Sequence, residues 1–198
     1  MDIKYYDLLS TAIIGVALIA VINYVFMGNV DIDGIVYLVF GYITGYFINA
    51  IGSVLEPIYY KTIGGKPSDL LLTLVPGQNW TGYGKVRFYA ADNVIKLLKK
   101  ELNDPNASAQ FLFEYAMKKV NNCKDTRVQA FNAQYAWSRT ILTSVLLSNI
   151  VFAFRFYNEW IFWIIGLLLL FLSWNRFKER GYYYAREVLN EYIKQEKL

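Results

Sequence analysis

Polar and apolar residues segregate into long blocks along this chain. Leu8 to Met27 is apolar apart from Ser10, Thr11, Gly15 and Asn23. At about 1.5 Å per helical residue such a run matches a hydrocarbon core of about 30 Å. A second run, Ile35 to Leu55, ends at Glu56-Pro57, where proline disfavours helix at the residue before it. Residues 140–154 and 160–174 carry no formal charge, and only Arg155 to Glu159 separates them. The last run is apolar on every face, which suits lipid and not water. Each of these two runs has 15 residues, about 22 Å of helix, short for a bilayer core. Trp137, Phe156, Tyr157 and Trp160 can extend them into the interfaces, with Arg139 and Arg155 expected to snorkel outward. The pattern predicts an all-α membrane protein: four transmembrane helices with a helical cytoplasmic insert between the second and third.

The expected organisation is two spans in residues 1–56, the insert in 57–138, two spans in 139–175 and a basic-aromatic tail helix in 176–198. Within the insert, residues 58–86 read as irregular, rich in Gly and Pro, except for a short helix from Ser68 to Leu74 capped by Ser68. From Val86 the spacing of Phe88, Ala91, Val94, Ile95, Leu98 and Leu102 predicts an amphipathic helix. Asn103-Asp104-Pro105-Asn106 breaks it, and a further helix is expected over 107–121. Asp125 can cap a third helix, which nothing interrupts before the third span. The fourth span is expected to continue through the tail despite Gly181.

Composition narrows the class. Hydrophobic residues make up 56% and charged residues only 18% of the 198, against about 25% charged in ordinary soluble domains. Histidine is absent and Cys123 is the lone cysteine, so neither a disulfide framework nor a His/Cys metal cluster can form within one chain. From Glu56 through Arg139, 12 Lys/Arg face 7 Asp/Glu; the tail from Asn175 has 6 against 4. The intervening connectors hold Asp31 and Asp33, and Arg155 with Glu159. Positive residues mark the cytoplasmic side, which predicts a multi-pass inner (plasma) membrane protein with both termini in the cytoplasm. The sequon Asn79-Trp80-Thr81 then lies where it is not glycosylated. The acidic start, with no cleavage site, reads as a retained helix and not a signal peptide.

Three constellations could carry chemistry. Gly41-Tyr-Ile-Thr-Gly45, continued by Gly52, is a small-residue stripe that lets another helix approach closely. It serves either packing against the first helix or a seam between subunits. Thr140, Thr143, Ser144 and Ser148 recur at 3–4 spacing along the third span, with Asn149 beside them. This face either forms interhelical hydrogen bonds or lines an aqueous path, and Asn23 and Asn49 should likewise face protein or water. Finally, Lys61, Lys66, Lys85, Arg87, Arg176, Arg180 and Arg186 are interleaved with Trp80, Tyr89 and Tyr183. Cations with aromatic faces suit either anionic headgroups or a short single-stranded nucleic acid or nucleotide. Gly82-Tyr-Gly84-Lys85 lacks phosphate-loop spacing. No nucleophile and acid/base pair is evident, so no enzyme activity, catalytic residue, metal or cofactor is expected.

Two spans, a helical insert and two more spans, with the Arg87-Phe88-Tyr89 and Arg176–Arg186 segments, resemble the small multi-pass membrane effectors of prokaryotic antiviral defence. The Hailong type is the nearer and the Kiwa type the second. The resemblance implies a homo-oligomer, a tetramer by preference, whose opening is controlled by a nucleic-acid-like signal and depolarises the infected cell. The expectation from the residues together with this resemblance is an ion-conducting channel gated from the cytoplasmic side. The alternative is a non-conducting membrane-anchored sensor or scaffold that recruits a soluble partner protein.

Overall fold

The structure is a computed structural model that describes residues 3–28, 34–73, 88, 90–121 and 127–196. Every element among them is a helix: α1 (Ile3–Met27), α2 (Gly34–Thr62), α3 (Pro67–Thr73), α4 (Ala91–Leu102), α5 (Ala109–Asn121), α6 (Val128–Phe156) and α7 (Trp160–Glu196). Helices α1, α2, α6 and α7 are long and apolar enough to cross a membrane, the pattern of a multi-pass membrane protein.

Several boundaries differ from the sequence expectation. Helix α2 does not stop at Pro57 but passes through it to Thr62. Proline removes one backbone donor; beyond it, burial of Tyr59 and Ile63 holds the helix. The chain then turns on Gly64 and Gly65, whose φ values of 88° and 137° are open to glycine. The stretch expected to be irregular therefore begins with the end of α2, while α3 forms where a short helix was expected. Helix α3 starts on Pro67, a residue suited to the first helical position, and the Ser68 hydroxyl donates to the Asp69 carboxylate instead of capping. Helix α4 starts at Ala91, later than Val86. It ends on Asn103 in the left-handed conformation, with the Asn103 and Asp104 amides reaching back to Lys100 and Lys99. Ser108 accepts the Phe111 amide at 3.3 Å and so caps α5. The expected cap Asp125 lies outside the described residues. Helix α6 runs unbroken from Val128 to Phe156, and α7 continues without a break past Gly181.

The chain divides into two compact units, residues 1–56 with 133–177 and residues 57–132 with 178–198. In the first, the backbones of α1 and α2 touch. A Cβ on Gly15 would meet the Gly41 carbonyl oxygen, and one on Gly45 would meet the Thr11 carbonyl oxygen. Below this contact Ile14, Leu18 and Ile48 form a core closed by Ile22, Ile141 and Leu147. The glycine stripe of α2 is thus used within the chain, against α1, while Gly52 abuts Thr143 and Arg139 of α6. At the other end of this unit Arg155 is exposed and reaches the end of α1. It donates to the carbonyls of Tyr24 (2.7 Å) and Val25 (3.2 Å), closing the C-terminus of α1. In the second unit α3, α4 and α5 pack on one another. Its interior holds Leu71, Val94, Leu98, Leu112, Ala116, Val120, Val188 and Leu189.

Candidate functional site

The polar face of α6 organises the first unit. Near its start, the Tyr135 hydroxyl donates to Glu56 Oε1 at 2.9 Å. One turn later Arg139 Nη1 pairs with Glu56 Oε2, and Arg139 Nη2 donates to Asn49 Oδ1 at 3.1 Å. Thr140 Oγ1 reaches the same Asn49 oxygen at 3.2 Å and also the Ala136 carbonyl at 3.0 Å. The pair is well shielded, with side-chain exposures of 14% for Arg139 and 21% for Glu56. Arg139 Nε is buried and makes no hydrogen bond. An ion pair at the end of two apolar helices is costly to desolvate, and it persists there only when paired and hydrogen-bonded as this one is. The expectation that Arg139 snorkels outward is therefore replaced by an inward pairing with Glu56. Glu56 closes the second apolar run and Arg139 opens the third, a juxtaposition that antiparallel spans make possible.

Along α6 the polar stripe then divides. Thr143 is fully buried and its hydroxyl donates to the Arg139 carbonyl at 2.9 Å, facing Gly52 of α2. Ser144 and Ser148 instead line a cavity of about 520 Å³ among α1, α6 and α7, together with Ala17, Val21, Tyr24, Val145, Asn149, Phe152, Phe156, Phe162, Ile165, Gly166 and Leu169. Ser144 is 8% exposed. Neither serine hydroxyl has a hydrogen-bond partner among the described residues. Asn149 Nδ2 donates to the Val145 carbonyl at 2.8 Å, and its Oδ1 sits where a Cβ on Gly166 would be. Glycine at 166 thus lets α7 close over the amide. A second cavity of about 490 Å³ shares Asn149 and is otherwise apolar. Asn23 of α1 takes no part in the Asn49 cluster; it donates to the Tyr37 hydroxyl and ties α1 to α2.

Sequence reasoning grouped Thr140, Thr143, Ser144, Ser148 and Asn49; the fold gives Asn49 and Thr140 to the Glu56–Arg139 cluster and the two serines to the cavity. Glu56, Tyr135, Tyr24 and Gly166 were not singled out. The available signal was Glu56 and Arg139, opposite charges bounding the second and third apolar runs.

Of the basic and aromatic candidates, Lys85, Arg87, Trp80 and Tyr89 lie outside the described residues. Lys61 and Lys66 are exposed in the second unit, and Arg176 is exposed in the first. In the second unit the Arg186 guanidinium lies over the rings of Tyr182 (5.5 Å) and Tyr183 (5.1 Å), and its Nε is buried with no hydrogen bond. Tyr183 therefore stacks with a cation of its own helix. Arg180 is partly buried on the same helix. Among the described residues no group of His, Cys, Asp or Glu could hold a metal.

No family model matches this chain, and no curated protein or solved structure matches it either.

Proposed function

We propose that this chain is the subunit of a homo-oligomeric, ion-conducting membrane effector, opened from the cytoplasmic side by a ligand. A short oligonucleotide is the candidate ligand, and antiviral defence is the setting that the resemblance to Hailong and Kiwa effectors implies. The observation that carries the reading is the polar face of α6. Within the apolar run, Thr140, Thr143, Ser144, Ser148 and Asn149 extend over about 13 Å of helix, nearly half of a hydrocarbon core of about 30 Å. Polar side chains at that depth face protein or water and mark pathways. Hydroxyl and amide oxygens suit the passage of small ions, and the Glu56–Arg139 pair stands as a charged closure at one end. Four spans per chain enclose little space alone, so conduction requires several copies.

The test is ion flux from liposomes containing the purified protein, with its mass in detergent measured in parallel. Flux that falls when Ser144→Leu is introduced, from a particle larger than one chain, supports the reading. A monomer that never leaks refutes it. The alternative, a non-conducting sensor or scaffold, is favoured by one observation: the second unit buries its own core. A stoichiometric soluble partner retained by the protein, with no flux, would decide for it.

A further inference from the structure

We infer that the cavity beside Ser144 and Ser148 binds an uncharged amphiphile drawn from the lipid phase: a linear apolar tail ending in one hydroxyl-like or amide-like head. At about 520 Å³ the cavity has the size of a small-molecule site, such sites measuring about 300–1,000 Å³. Its walls are apolar except at one place. There Ser144 and Ser148 present hydroxyls with no partner among the described residues, and Asn149, its amide hydrogens turned to Val145, presents an oxygen. An unmet polar group at membrane depth is costly, and an alcohol, which donates and accepts, answers all three. One and two turns further along the same side of α6 stand Phe152 and Phe156, with the Tyr24 ring of α1 6.5 Å and 6.2 Å from theirs.

Charge decides against other occupants. No carboxylate or cation lines the cavity, so a bare ion would lose its hydration for three neutral oxygens and an apolar remainder. A charged headgroup would have to sit about 7–14 Å along α6 from Arg139, inside the hydrocarbon region. The binding does not depend on conduction. If the chain conducts along this face of α6, the occupant obstructs the path, and that step alone rests on the conducting reading.

The experiment is photolabelling of the full-length protein in phospholipid vesicles with a diazirine-bearing dodecanol, against a diazirine-bearing dodecane. Saturable labelling by the alcohol, mapped to residues 144–169 and competed by plain dodecanol, supports the site. Ser144→Ala and Ser148→Ala should each weaken the alcohol about fivefold, the loss of one hydrogen bond, and leave the alkane unchanged. Ala17→Phe, which fills the cavity from α1, should abolish alcohol labelling. Unsaturable labelling spread over lipid-facing Leu167 and Leu168, or alcohol and alkane responding alike to the serine variants, overturns it. If Ala17→Phe fails to fold, the serine variants, which remove one oxygen each, carry the test. Site labelling without any flux refutes conduction and leaves the binding site standing; dodecanol-sensitive flux supports both.

Discussion

Removing the carboxylate of Glu56 strands the Arg139 guanidinium among apolar helices. Glu56 accepts from the Tyr135 hydroxyl and pairs with Arg139, and both charged side chains are mostly shielded. A hydrogen bond to a charged group contributes roughly 1.5–3 kcal/mol, and breaking a buried pair from one side costs roughly 3–5 kcal/mol. Glu56→Leu should therefore lose about 3–5 kcal/mol, or roughly 6–20 °C in melting temperature for a chain of this length. Glu56→Gln keeps an acceptor and should lose less. Arg139→Met should cost a similar amount, since Glu56 then loses its guanidinium partner and Asn49 loses a donor. The double variant Glu56→Leu/Arg139→Met removes the charge and the desolvation together, and should lie within about 2 kcal/mol of the parent protein. Thermal unfolding in detergent, followed by tryptophan fluorescence, measures all four proteins. If the two single losses simply add in the double variant, the pair is not coupled and the cluster has no role in holding α2 to α6.

Adding a methyl at Gly15 or Gly45 meets backbone on the facing helix, so either alanine variant should cost about 1–3 kcal/mol. Gly34→Ala, with open space around it, should change stability by less than about 0.5 kcal/mol in the same melt. Arg155→Met removes two bonds to the end of α1 and should cost about 1–3 kcal/mol; faster hydrogen exchange around Gly28 would report the loss, with Arg155→Lys recovering part of it. Leu189→Ala, at a fully buried position of the second unit, should cost about 2–5 kcal/mol. For the ligand, Arg180→Glu with Arg186→Glu should abolish binding of a short single strand. No binding by the parent protein at low salt, where phosphate contacts are strongest, refutes the oligonucleotide.

Hydrophobic run length made the four long helices readable, because lipid demands that every backbone group be bonded within its own segment. The misread boundaries share a cause. Pro57 and the start of α4 were judged from local preference, whereas Tyr59, Ile63, Val94 and Leu98 are held by burial that connects distant parts of the chain. The glycine stripe shows the same limit: spacing announced a close approach, but only Thr11, Ala12 and Gly15 facing Gly41 and Gly45 identify α1 as the neighbour.

The run-and-break pattern alone determined that this is a helical chain with four membrane-length helices and a hydroxyl-bearing third span. Periodicity and transfer free energy act residue by residue along the sequence, so they can be read there. What those hydroxyls meet was decided by tertiary structure. Thr140 goes to Asn49 and Thr143 to its own helix, while Ser144 and Ser148 open onto a cavity. Neighbouring turns of one helix face different partners, and spacing along a single helix carries no information about which helix stands opposite.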